Sequence, residues 1–244
     1  MVQTSPLPLL ITTSVVANAP RTAVAATEER LALTLEGLER WLRLRPELAY
    51  VVCDGSGFDL REQVDDLCRR VAPSASVEVL HFVNDQSQVQ RRGKGFGEGE
   101  IVQFALAHGR TLQGATRFAK CTGKLWISNL AAVEAWNRQQ PASFDYRGRL
   151  RPVLLDTRFY LCDLAFYRDR LATAHHQVDE PAGVNLEHCF ARALATEPLF
   201  RYAMLPPPII HGVSGSMGVR YDEFDWHYAR RLARAAVVRG LRWR

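Results

Sequence analysis

Alternating short apolar runs and amphipathic stretches predict an α/β domain of three layers, with helices packed on both faces of one sheet. Three observations carry this: strand-like runs at 8–16, 48–53 and 77–83, leucine and valine stripes of helical period between them, and polar or glycine-rich loops just after the strands. The 244 residues, 47% hydrophobic, supply enough apolar surface for one large domain spanning 1–244.

The first run, PLLITTSVV at 8–16, reads as a buried strand ending in hydroxyls. Thr12, Thr13 and Ser14 stand there either to touch a nucleotide or simply to close the strand. Pro20 keeps the next loop out of helix. Thr27 then caps a helix whose Leu31, Leu35, Leu38 and Leu42 form a packing stripe, with Glu28 and Glu29 in its first turn and Pro46 at its end. The second strand runs into Asp54-Gly55-Ser56-Gly57, at the carboxyl edge where open α/β sheets bind ligands. Asp54 is a candidate acceptor for a nucleobase or ribose, and equally an ordinary turn aspartate. A helix from near Asp59 turns Leu60, Val64, Leu67 and Val71 inward, and the third strand ends in Asn84-Asp85.

The stretch 92–129, RGKGFGEGEIVQFALAHGRTLQGATRFAKCTGKLWISN, is the candidate functional centre. Its glycines lead into a helix starting near Phe96 or Gly97, whose free amides, with Lys94, can receive an anion. The same alternation of glycine and charge also suits a surface turn, and it completes neither a dinucleotide fingerprint nor a phosphate loop. Lys120 and Lys124 flank a Cys-Thr-Gly turn; with the Thr122 hydroxyl they suit a diphosphate, or else are two exposed lysines beside a turn.

Farther on, 130–138 reads as helical, and a turn-rich connection leads to PVLLDTRFYL at 152–161, a strand or strand pair. Asp156 and Arg158 there form an ion pair or share a ligand-facing side. Asp179 falls in a loop and Glu187 near a helix start, where a carboxylate can orient or deprotonate a hydroxyl. His175, His176, His188 and His211 lack zinc spacing. His211, Ser214 and Ser216 belong to a glycine-serine loop that can cover a phosphate or act as a linker. The final stretch, 224–242, carries Arg230, Arg231, Arg234, Arg239 and Arg242, and reads as an ordinary basic helix or as a face for an anionic membrane surface.

A formal charge of +5, from 31 basic and 26 acidic residues, suits phosphate partners. Basic residues are not interleaved with aromatics, which argues against nucleic acid. Five widely separated cysteines without a CxxC pair fit a reducing compartment. No apolar run is long enough to span a bilayer and the start lacks a signal-peptide pattern, so a cytoplasmic location is expected, with peripheral attachment at the inner face of the membrane as an option.

PLLITTSVV, VVCDGSGFD and GKGFGEGEIVQFALAHG together resemble the nucleotide-sugar-binding half of GT-A-type glycosyltransferases. With FAKCTGKLWISN, VNLEHCF and IIHGVSGSMG, the chain is similar to bacterial glycosyltransferases of lipopolysaccharide or capsule assembly, over about 8–221. The resemblance implies a Rossmann-like nucleotide-sugar-binding half at 8–129, an acceptor half at 130–221 and a basic C-terminal helix at 222–244. Where many members carry a metal-binding Asp-x-Asp, this chain has Lys120, Thr122, Gly123 and Lys124.

That departure implies cationic side chains, with Arg117 or Arg158 assisting, in place of metal charge, so that no cofactor is required; a divalent metal stays an open alternative. The resemblance implies sugar transfer from a nucleotide-sugar to a hydroxyl of a glycan or lipid-linked saccharide. Asp54 would contact the nucleotide and Lys94, Lys120 and Lys124 the phosphates, with Glu187 as first choice of base and Asp179 as second. Two alternatives remain open: a sugar nucleotidyltransferase, and a non-catalytic sugar-binding or membrane-docking assembly partner.

Overall fold

The computed structural model describes residues 7–17, 19, 23–148, 151–195, 201–215, 218–221 and 227–240. Its N-terminal half alternates β1 (Leu9–Thr13), α1 (Thr27–Leu44), β2 (Ala49–Asp54), α2 (Arg61–Val71) and β3 (Ser76–His81). Then come α3 (Gln86–Arg92), α4 (Lys94–His108), the short α5 (Arg110–Gln113) and β4 (Arg117–Thr122). The remainder comprises β5 (Leu125–Ile127), α6 (Leu130–Asn137), β6 (Ala142–Gly148), β7 (Pro152–Asp163), α7 (Leu164–Arg170), α8 (Leu186–Ala193), β8 (Ile210–Gly212) and α9 (Tyr228–Gly240).

Strands β3-β2-β1-β4-β7-β6 form one sheet in that order, β1 pairing parallel with both β2 and β4, and β2 with β3. β7 runs antiparallel to both β4 and β6. Every residue of β1 is buried, as a central strand covered on both faces requires. The sheet separates two apolar clusters. One gathers Leu10, Cys53 and Phe118 with Ile101 and Val102 of α4 and Phe190 of α8, and the other Leu9, Ile11 and Tyr50 with Leu38 and Trp41 of α1 and Leu67 of α2. This is the expected three-layer α/β/α domain with a Rossmann-like N-terminal half.

Three local expectations change. The connection after α6 contains β6, whose Ala142, Phe144 and Tyr146 are buried and whose Phe144 amide donates to the Tyr202 carbonyl; Pro141 and Gly148 at its ends give it the look of a turn. α3 precedes α4, capped by the Asp85 carboxylate accepting from the Gln88 amide at 3.1 Å. α4 starts at Lys94 rather than near Phe96. Beside the main sheet, β5 and β8 pair antiparallel, which carries the loop after β8 across the end of β4.

Candidate functional site

A cleft of about 1690 Å³ opens at the carboxyl ends of β1 and β4. On its α4 side, Lys120 is fully buried at 0% exposure. Its Nζ donates to Thr122 Oγ1 and the Thr157 carbonyl, both at 2.8 Å, and forms an ion pair with Glu98 of α4. Thr122 Oγ1 also donates to Glu98 Oε1 at 3.0 Å. Lys120 is absent from the cleft wall, so the expected phosphate contact is corrected: this lysine ties α4, β4 and β7 together beneath the site.

Lys124 lies on the α1 side and behaves differently. Its φ of 72° is the left-handed conformation that residues with a Cβ seldom adopt. Two glycines make room for it: a Cβ on Gly37 of α1 would come 3.2 Å from Lys124 Cα, and one on Gly212 of β8 would come 2.1 Å from its carbonyl oxygen. The side chain lines the cleft at 6% exposure, with no carboxylate paired to it among the described residues. Burial, aided by the Arg30 charge and opposed by Asp54, pushes its pKa down to about 7.

Arg30, on the buried face of α1, is a candidate site residue that the leucine stripe concealed. It is 7% exposed; Nε donates to the Ser14 and Val15 carbonyls at 2.8 and 3.1 Å, and Nη1 to the Val24 carbonyl at 2.9 Å. Gly215 lies against both cations, since a Cβ there would sit 3.5 Å from Lys124 Cδ and 3.7 Å from Arg30 Nη1. Two buried cations facing one cleft make a site for a polyanion. Nearby, Thr12 Oγ1 and Asn84 Oδ1 are buried in the cleft wall without a hydrogen-bond partner among the described residues.

Glu187 also reaches the cleft, from the first turn of α8, a helix capped by Asn185 accepting from the His188 amide at 3.2 Å. Thr157 Oγ1 donates to Glu187 Oε1 at 3.0 Å. Burial raises the Glu187 carboxyl above its ordinary value, and the charges of Glu98 and Asp156 add to the rise against the Thr157 hydrogen bond. A carboxylate held in this way is suited to proton acceptance near neutral pH.

Several other expected residues sit elsewhere. Asp54 is 0% exposed and absent from the cleft wall; its carboxylate accepts from the Val15 and Ser56 amides at 2.8 and 2.7 Å and from Ser56 Oγ at 2.6 Å. It clamps the β1 and β2 loops rather than presenting itself to a ligand. Asp179 is exposed outside the cleft, accepting from the Ala182 amide at 3.2 Å in its own turn, and the neighbouring Glu180 lines the cleft instead. Glu180 accepts from the Gly95 amide at 2.9 Å, so the α4 N-terminus expected to hold phosphate already carries a protein carboxylate.

Lys94 is exposed at the cleft edge. Ser14, which donates to the Val16 carbonyl at 2.8 Å, lines the cleft, as do Thr12, Thr122 and Ser214. Arg158 lines it too, but paired with Asp156 through Nε at 2.9 Å. His211 bonds Ser128 Oγ at 2.9 Å and stacks on Trp126. Ser216 and Arg242 lie outside the described residues. In α9, Arg231 and Arg234 bond Asp145, and Arg239 donates to the Trp136 carbonyl at 2.8 Å, so these three arginines face the protein rather than a membrane. No described helix is long and apolar enough to cross a membrane.

No family model and no curated protein matches the chain. Solved structures do. The mannosyltransferase PcManGT from Pyrobaculum calidifontis, in complex with GDP-Man and Mn2+, aligns over 98% of this chain and 77% of its own at a TM-score of 0.53 and 12% identity. Mannosyltransferase Ktr4p from S. cerevisiae aligns over 96% and 81% at 0.53 and 10% identity. Core-mannan synthase A from Aspergillus fumigatus, in its Mn/GDP form, aligns over 97% and 84% at 0.51 and 7% identity.

These comparisons correct the expectation that no metal is required, because two of the three similar structures contain manganese with GDP or GDP-Man. The physical basis of that expectation fails as well: Lys120 is neutralised by Glu98 and Arg158 by Asp156, so the proposed cationic substitute for a metal is much reduced. Among the described residues no group of three or more His, Cys, Asp or Glu side chains is arranged to hold a metal ion. At these identities the likeness concerns architecture: the chain has the GT-A fold of nucleotide-sugar glycosyltransferases.

Proposed function

We propose that the chain is an enzyme transferring a sugar from a nucleotide-sugar donor to a hydroxyl of a glycan or lipid-linked saccharide. The observation that carries this reading is the buried, carboxylate-free Lys124 beside Arg30 in a large cleft at the sheet edge. The donor diphosphate sits against these two cations, which stabilise the negative charge that grows on it as the bond to the sugar breaks. Residues 8–129 supply most of the donor side and 130–221 most of the acceptor side. Thr12 and Asn84 offer their unpartnered oxygens to the nucleoside or donor sugar.

Glu187 takes the proton from the acceptor hydroxyl as its oxygen forms the new bond to the anomeric carbon and the nucleoside diphosphate leaves. Its position beside Thr157, in the same cleft as Lys124 and Arg30, supports that division of roles. Assignment to bacterial lipopolysaccharide or capsule assembly rests on the motif resemblance alone.

The test is calorimetric titration with GDP- and UDP-sugars in the presence of Mn2+, comparing the wild type with Lys124→Met. One charge-assisted phosphate contact is worth about 1.5–3 kcal/mol, so the substitution should weaken donor binding roughly 10- to 100-fold. Unchanged affinity in a folded Lys124→Met protein would refute the phosphate role.

A further inference from the structure

We propose that the acceptor bears a phosphoryl group, bound at the β6–β7 end of the cleft; this rests on the sugar-transfer reading. Five arginines line that end: Arg147 of β6, Arg158 of β7, and Arg230, Arg231 and Arg234 of α9. Among the described residues, the carboxylates at that end are Asp145 and Asp156. Asp145 takes Arg231 and Arg234, and Asp156 takes Arg158. The other cleft carboxylates are engaged elsewhere: Glu98 with Lys120, Glu180 with the Gly95 amide, and Glu187 with Thr157.

Arg147 and Arg230 are exposed in the cleft wall and form no ion pair among the described residues. Crowding like charges in one wall is unfavourable, and a bound anion relieves it. The three carboxylate-paired guanidinium groups are also held by rings: Arg234 lies 4.3 Å from the Tyr146 ring centre, Arg158 4.9 Å from Tyr221 and Arg231 5.6 Å from Tyr228. Planar, positioned forks of this kind match phosphate oxygens, while the tyrosine rings give the wall an apolar face for a sugar.

Place in the fold distinguishes this end from the donor site. Lys124 follows β4 and packs on α1, whereas β7 and β6 continue the sheet beyond β4 to its opposite edge. Between them, Thr157 is next to Arg158 in the chain and bonds Glu187. An acceptor with its phosphoryl group on the arginines therefore presents a nearby hydroxyl to Glu187. Two sources share this chemistry, a soluble saccharide phosphate and a saccharide on a lipid diphosphate.

The experiment saturates the protein with GDP or UDP, whichever binds, and then titrates mannose 6-phosphate, mannose, and phosphatidylcholine vesicles with and without dodecyl-pyrophosphoryl-mannose. The expected result is at least a roughly tenfold preference for a phosphorylated probe over its uncharged counterpart, lost in R147E/R230E while nucleotide affinity stays within about twofold. Preference for the free phosphate identifies a soluble acceptor, and preference for the loaded vesicles a lipid-borne one; either supports the proposal. Equal binding of charged and uncharged probes, or a preference that survives R147E/R230E, overturns it. Failure of the wild type to bind any nucleotide or nucleotide-sugar would instead overturn the sugar-transfer reading, which separates the two failures.

Discussion

Lys120 and Lys124 lie four residues apart around one turn, yet they belong to different regions of the molecule. On the α4 side, Lys120 has a carboxylate, a hydroxyl and a carbonyl around it, and holds three elements together. On the α1 side, Lys124 has been taken out of water without a carboxylate, in a left-handed backbone conformation. Backbone strain and an uncompensated charge are each unfavourable to folding, and their coincidence facing a cleft is the mark of a ligand site. A lysine's role here follows from its partners rather than from its place in a glycine-rich motif.

The largest effect that sharpens this contrast concerns chemistry on the α4 side. Glu187→Gln should lower kcat by roughly 100- to 10,000-fold while leaving nucleotide affinity unchanged, as steady-state kinetics and titration together would reveal. An equal loss of donor binding would mean that the two regions do not divide the work as described.

Next in size is stability. Lys120→Met should destabilise the fold by about 3–5 kcal/mol, because Glu98 and Thr122 lose their buried partner, whereas Lys124→Met should leave stability unchanged or raised. Urea unfolding of both variants makes the comparison, and similar losses for the two would break it. Adding Glu98→Gln to Lys120→Met should recover part of the loss, since the stranded charge is removed.

The smallest effect is in pH dependence. Lys124 is protonated in the free protein below about 7, so donor affinity should weaken as pH rises through that value, by about tenfold between pH 6.5 and 8.5. Lys124→Arg should flatten the curve, because arginine stays charged throughout. On the acid side the sign is opposite for turnover: the raised Glu187 carboxyl becomes protonated as pH falls and can no longer accept a proton, so kcat should decline there.

The alternation of strand and helix was legible because hydrophobic period survives in a single chain: β1, α1, β2, α2 and β3 fall close to where their apolar patterns predict them. Glu187, Thr12 and Lys124 were also visible as candidates, standing at strand ends or a helix start. Arg30 was not, since nothing in the order of residues says that the first turn of α1 will lie beside a loop after β8, about 185 positions later. The same blindness let Lys120 pass for a phosphate ligand and Asp54 for a nucleotide contact, because the groups that occupy them arrive from α4, β7 and the turn after β1. Local pattern identifies what a side chain can do; tertiary pairing decides whether it is still free to do it.

The close approach of Gly37 to Lys124 gives α1 a second hold on the donor site, separate from Arg30. At 3.2 Å, a methyl group on that helix would oblige the neighbouring turn to yield by a few tenths of an ångström, carrying the ammonium with it. Gly37→Ala is thus an indirect dial on donor affinity, set from a helix position outside the cleft wall without altering any chemical group in the pocket.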